Sequence, residues 1–560
     1  MVTSRIILNL AMYFVVGLAP ALPADTASKE EDASSLEGSS PINQVFQFAY
    51  TGTCTSWSDG KPTTATAYLW IPENCQHLRG LLILGYNVPE HRLVGHKAIR
   101  QVCVDNDLGI VWCTPSFLNN KPPEPGKSTR TNQWDTCVAF LQQLLDGLAS
   151  VSGYDEVASA PWLPLGESGH LKMVHALLDE KPDRCIAGIL LKNQNLPPHN
   201  RVTPVLSTDG TAYEWGQDKT DIRAKWNDVD QMYSRILTAR RQNPQWPLSY
   251  VIDGHSGHFD CSDRFVNYIA HYIDVITKAR LPDKPGEPLK PIDLSKGFSA
   301  DLPVPGHENP TIQLGAADLA VPWYPDRQLA EQAQRYAAIN WKAESQFINF
   351  LDDKGNPLPH DFNGITNIKS VSFEDDGITF TMHCRVADKI PGDFVHAGEP
   401  LAQTSWTPNV EWLCGPLEPL GGNRFRIALD RTWLGRGGCY LGARQAGNDN
   451  VRGILEPTGI DLKALRNTDG KAQKITFPAI ANVAIGAAPI SLSATSDAGL
   501  PVSYFVVEGP AVIQGDKLVL TPIPPRTKFP VNVTVAAWQW GKKGEVQTAD
   551  VVQQSFQINR

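Results

Sequence analysis

The stretch Pro161-Trp162-Leu163-Pro164-Leu165-Gly166-Glu167-Ser168-Gly169-His170 holds the residues best suited to chemistry. An apolar run enters Gly-x-Ser, and a helical pattern leaves it, with Met173, Val174, Leu177 and Leu178 ahead of Lys181-Pro182. A sharp turn between a buried strand and a helix lifts a serine hydroxyl above the sheet, where it can attack a carbonyl carbon. Glycines are needed around such a serine because side chains would collide with the neighbouring strand and helix. The helix start behind Ser168 also brings free N–H groups and a positive dipole end toward a developing oxyanion. His170 stands where the last glycine of Gly-x-Ser-x-Gly usually falls, so small neighbours or a shifted helix must accommodate it.

Serine is a weak nucleophile without a base. Two histidines compete for that part in Asp253-Gly254-His255-Ser256-Gly257-His258-Phe259-Asp260, ahead of a helix that Ser262 and Asp263 are suited to cap. His258 has the spacing expected just before a final helix and is preferred; His255 could line the pocket or bond locally. An acid must hold the imidazole in one tautomer and stabilise its charged form. The segment from Pro204 to Trp215 offers Glu214 and Asp209, of which Asp209 could instead shape a turn onto Gly210 and Thr211.

The elements that must position these groups are legible as short apolar runs alternating with amphipathic stretches from about Gln44 to Pro291. Gly80–Gly85, Leu108–Cys113, Cys185–Leu191, Pro204–Ser207 and Leu248–Ile252 read as buried strands. His96–Asn106, Thr131–Leu148 and Arg264–Ile276 read as helices between or after them. Strands alternating with helices imply βαβ units and a mostly parallel sheet.

With these residues in view, the region from about Gln44 to Leu281 resembles an α/β-hydrolase-fold serine hydrolase of the secreted esterase kind. The likeness rests on Gly166-Glu167-Ser168, on Pro182-Asp183-Arg184-Cys185-Ile186-Ala187, on Gly257-His258-Phe259, and on the chain order serine, acid, histidine. It implies that the acid is Glu214, a few residues beyond the glycine, with Asp209 as the alternative. It also implies that the loop after Gly80–Gly85 furnishes one oxyanion N–H, from Tyr86 or Asn87, and that Gly169 furnishes the second. The His-Gly-Gly-Gly loop of some lipases is not present.

Residues 1–24 read as a signal peptide, with Arg5 ahead of an apolar run and cleavage after Ala21 or Ala24, and 25–43 as an acidic, serine-rich tether. The expectation is an exported protein, secreted or held at the cell surface. Ten cysteines then allow staples, and Cys54 with Cys75 is a reasonable pair flanking one hairpin. There is no Cys-x-x-Cys and no His-Glu-x-x-His, so neither a metal nor a cofactor is expected. A net charge of -9 disfavours nucleic acid as a partner.

Two further regions follow the expected α/β domain at 44–291. From 292 to 470 a helix over Asp326–Ala337 precedes alternating segments such as Ser370–Phe373 and Ile378–Met382, which read as a β-rich module. Gly435-Arg436-Gly437-Gly438 within it lacks the lysine and helix of a phosphate loop and reads as a turn. From 471 to 560 strand candidates recur at Lys474–Phe477, Ile490–Ala494, Val502–Val507, Lys517–Leu520, Val531–Ala537 and Ser555–Ile558. Gln473-Lys474-Ile475-Thr476-Phe477-Pro478 and Gly499-Leu500-Pro501-Val502-Ser503-Tyr504 resemble bacterial immunoglobulin-like repeats, which implies a β-sandwich serving spacing or attachment. The expected activity is cleavage of an ester, with carbohydrate- or polymer-linked esters among the candidates, and with glycan or surface association through the β domains. A peptidase or other acyl hydrolase on the same fold, or a non-catalytic surface-binding protein with a degenerate hydrolase domain, are the alternatives.

Overall fold

The structure is a computed structural model that describes residues 44–560 apart from 56–61, 115–133, 193–194, 212–221, 223–228, 308–309, 316–319, 361–364, 393 and 436–437. The expected signal peptide, the tether and Glu214 therefore lie outside the described residues.

Strands β1 (Phe48–Thr55) and β2 (Pro62–Trp70) form an antiparallel hairpin at the sheet edge. They lead to β3 (Gly80–Gly85), β4 (Leu108–Thr114), β5 (Trp162–Glu167), β6 (Gly188–Leu191), β7 (Val205–Gly210) and β8 (Leu248–Asp253), which run parallel to one another. The order across the eight-stranded sheet is β1-β2-β4-β3-β5-β6-β7-β8. This is the hydrolase-like α/β sheet expected from the sequence. Every residue of β3 to β8 is buried, which explains why β3, β4 and β6 read as unbroken apolar runs, whereas β5 and β7 end in polar residues at the crest.

The helices are α1 (Val88–Gly95), α2 (Lys97–Asp105), α3 (Trp134–Ser152), α4 (Leu171–Glu180), α5 (Val229–Gln242) and α6 (Asp263–Arg280). Ser262 caps α6 by accepting a hydrogen bond from the Phe265 amide, as its residue type suggests. Helix α1 has no counterpart in the sequence reading. Its short run Val88-Pro89-Glu90-His91-Arg92 carries three ionisable groups that are nonetheless buried, so it shows no amphipathic stripe.

Several described segments between 298 and 337, which the sequence assigns to the second region, pack into the core of the α/β part. Ala300, Leu302, Tyr324, Leu329 and Ala333 belong to the same apolar cluster as β3 to β8. Beyond them a four-stranded sheet orders Thr366–Ile368, Ile454–Ile460, Tyr440–Gln445 and Asn409–Cys414. Ser370–Phe373 is not a strand there and contributes one bridge, Phe373 to Phe380. The last region contains a four-stranded and a three-stranded sheet, into which all but the first of the six predicted strands fall. That first one, Ile475–Thr476, pairs separately with Thr495–Ser496.

The Cys54–Cys75 pairing is corrected. Cys54 lies toward the hairpin tip, opposite Thr63, whereas Cys75 follows β2 at the other end and carries a free, buried thiol. Reading both as flanking one hairpin missed that they leave it at opposite ends.

Candidate active site at the strand crest

The carboxyl ends of β3, β5, β7 and β8 form one crest, the place where open α/β sheets bind ligands. At the end of β5 the chain turns through a single 3-10 turn, Ser168–His170, before α4 begins. Ser168 has φ +50°, a left-handed conformation that a side chain-bearing residue adopts only at a cost of about 1–3 kcal/mol. Gly166 makes the turn sterically feasible. A Cβ there would stand 2.9 Å from the Val174 side chain and 3.0 Å from the His170 carbonyl oxygen. Beside Gly169 there is open space, with nothing within 4 Å of where a Cβ would be. Ser168 is half-buried and Gly169 is exposed.

His170 is accommodated by an acid that the sequence reading did not foresee. Its Nδ1 lies 3.0 Å from Glu90 Oε1, and the same oxygen accepts the Glu167 amide at 2.9 Å. A second unforeseen acid, Glu167, faces the histidine loop. Its Oε1 is 2.8 Å from His258 Nε2, and both side chains are buried. The contact lacks the alignment of a linear hydrogen bond and becomes an ion pair only when the ring is protonated. Asn87 pins the other side of Glu167 by donating from Nδ2 to its Oε2 and, at 3.2 Å, to its backbone oxygen. The signal was available: a carboxylate ending a fully buried strand needs polar partners.

His255 serves a different contact. At φ +64° its amide donates to Thr211 Oγ1 at 2.7 Å, and its Nδ1 accepts the Gly453 amide at 3.2 Å. Asp209 accepts a hydrogen bond from the Tyr250 hydroxyl at 3.2 Å on its Oδ2. Tyr86 donates its phenolic hydrogen to the Gly438 carbonyl, with Cys414 Sγ 3.9 Å away. Burial raises that phenol well above its ordinary range, so it stays a neutral donor. Among the described residues, the structure thus brings Glu167 and His258 together beside Ser168, and ties Tyr86 and His255 to the second region.

That region sits directly on the crest. Val88 of α1 and Phe259 share a small apolar cluster with Ile365, Leu413, Cys414 and Leu455. His91 accepts the Gly415 amide on Nδ1 at 3.1 Å. Burial, aided by the Arg431 charge, pushes the His91 pKa down to about 3, so the ring is a neutral acceptor.

No protein-family model matches the sequence, and no curated protein matches it. Solved structures similar to it include an S-formylglutathione hydrolase from Agrobacterium tumefaciens, at 12% identity over 43% of this chain and 98% of that one, with a TM-score of 0.27. A cold-adapted esterase from an Arctic intertidal metagenomic library is 12% identical over 42% of this chain and 98% of that one, with a TM-score of 0.25. A siderophore hydrolase from Aspergillus nidulans is 9% identical over 41% of this chain and 94% of that one, with a TM-score of 0.26. These neighbours are esterases and hydrolases, but likeness at this level adds no weight to the strand order and crest geometry.

Proposed function

We propose that this chain is an exported serine hydrolase that cleaves carboxylic esters through an acyl-enzyme. The observation that carries the reading is Ser168 at φ +50° on the crest, with His258 in contact with the residue just before it. Ser168 Oγ attacks the ester carbonyl while His258 Nε2 takes its proton. The imidazole turns from Glu167 toward Ser168 to do so, and the Glu167 carboxylate stabilises the imidazolium that forms. The oxyanion accepts N–H groups of Gly169 and of Tyr86 or Asn87. His258 returns the proton to the departing alkoxide, and water activated by the same ring then releases the acid.

Glu214 is the preferred partner for His258 Nδ1 on its place in the sequence, with Asp209, which also accepts the Tyr250 hydroxyl, as the alternative. The C-terminal sheets fit an immunoglobulin-like sandwich that spaces or attaches the enzyme, and the apolar N-terminus fits export. Ser168→Ala should abolish hydrolysis of p-nitrophenyl acetate and butyrate and labelling by a fluorophosphonate probe. Full activity in that variant, or labelling that persists, would overturn the assignment. An inert wild-type protein would favour the non-catalytic reading.

A further inference from the structure

The loop that carries His258 is held from outside the α/β part. Asp260, two residues beyond His258, is 2% exposed and receives both prongs of Arg444, Nη1 to Oδ2 and Nη2 to Oδ1, each at 2.8 Å. Arg444 is fixed in turn by Glu411, whose Oε1 accepts from Nη2 at 2.7 Å. Both belong to paired strands of the second region's sheet, where Glu411 lies opposite Gly442. A forked guanidinium sets both the distance and the angle of a carboxylate, which a single point contact does not.

Other contacts run the same way. The Gly453 amide reaches His255, and the Tyr440 ring lies 5.6 Å from Phe259, whose ring in turn lies 4.9 Å edge-on to His258. Three residues of this loop, His255, Phe259 and Asp260, are therefore met by residues some 180 to 200 positions later in the chain. Burial alone would raise the Asp260 carboxyl, yet Arg444 holds it below its ordinary range, so it is a charge that needs its partner. Removing one member of a buried pair leaves the other uncompensated.

We propose that Arg444 is a positioning residue for His258, acting through Asp260, so that the second region completes the catalytic geometry of the α/β part. This rests on the serine-hydrolase reading of the crest. Arg444 touches neither reacting atom; it fixes the path of the backbone from which the base projects.

The test uses the full chain with three variants, Arg444→Met, Arg444→Lys and the combined variant Arg444→Met with Asp260→Leu and Glu411→Gln. The combined variant removes the Asp260–Arg444 pair, and Glu411, which also loses Arg444, is replaced by Gln in the same background, so it remains informative where Arg444→Met alone fails to fold. Three quantities are read: the endpoint fraction labelled by fluorophosphonate, kcat and KM for p-nitrophenyl acetate per labelled site, and the rate of diethylpyrocarbonate modification of His258 by peptide mapping. The folded combined variant should lose about 100-fold in kcat per labelled site with KM little changed, since a displacement near 1 Å has that effect. His258 should become several-fold more reactive to diethylpyrocarbonate while buried His91 does not, and Arg444→Lys should recover part of both. Wild-type kcat per site together with wild-type His258 reactivity in the folded combined variant overturns the proposal. If the wild-type protein takes no label, the hydrolase reading fails separately. His258 reactivity alone then decides whether Arg444 sets the loop.

Discussion

Glu167 and His258 meet at 2.8 Å across the crest, the carboxylate carried by the residue that immediately precedes Ser168. Strand β5 therefore delivers the candidate nucleophile and a counter-charge for its base in consecutive residues. One strand end sets both.

Replacing Glu167 by Gln keeps an acceptor for Asn87 and removes the charge beside His258. The expected result is a fall of about tenfold to a hundredfold in kcat/KM on p-nitrophenyl acetate. The acid limb of the rate profile should also move to lower pH, because the imidazolium loses a stabilising anion. A pH–rate series on both proteins measures it. An unchanged limb would remove Glu167 from the mechanism.

Ser168→Gly should make the protein more stable while abolishing turnover. Glycine takes φ +50° without the strain that serine bears there. The gain should be about 1 kcal/mol in reversible denaturant unfolding, with Ser168→Ala as the inactive reference that keeps the strain.

His170→Gly restores the usual motif but strips Glu90 of a partner 3.0 Å away. Because Glu90 also holds the Glu167 amide, the expectation is a loss of roughly 1–3 kcal/mol. A variant as stable as wild type would show that the histidine only fills space.

Glu456 gives a pH prediction. It is 1% exposed on the second region's sheet, and neither carboxylate oxygen has a hydrogen-bond partner among the described residues. Burial raises its pKa well above 4.5. An acid raised on folding binds its proton more tightly in the native state, so stability falls as pH climbs above the unfolded value and levels only past the folded one. Glu456→Leu should remove that decline and be more stable by about 1–3 kcal/mol near neutral pH. Unfolding free energies from pH 4 to 8 would show the wild-type slope flattened in the variant.

The elements that close the sheet were the most legible part of the sequence. Gly80–Gly85 matches residue for residue, and Leu108–Thr114 and Leu248–Asp253 extend their predicted runs by one residue, because strands buried on both faces leave an unbroken apolar trace. The Gly166-Glu167-Ser168 turn was legible for the same reason. The parts that were not legible depend on distant partners. Glu90 and His170 make sense only once α1 lies beside the elbow, and Asp260 only once Arg444 reaches it. Pairings over 80 and 184 positions leave no periodicity to read. The helix over Arg327–Ala337 reads with the second region because nothing in its sequence shows that it packs on β8 and α6.

The first described residues carry a consequence for how the molecule is made. The Gln44 carbonyl accepts from Arg431, and the Phe46 carbonyl accepts the Gly509 amide, pairings that span most of the chain. Phe46 is itself fully buried against Trp112, at the edge of the central sheet. A ribosome would have to deliver Gly509 before that edge could be sealed, so maturation of the α/β part is expected to be post-translational. Closing contacts of such sequence separation is slow. Phe46 can meet Trp112 and Gln44 can meet His91 early, but the Arg431 and Gly509 contacts close over this segment only once the last sheets have been made.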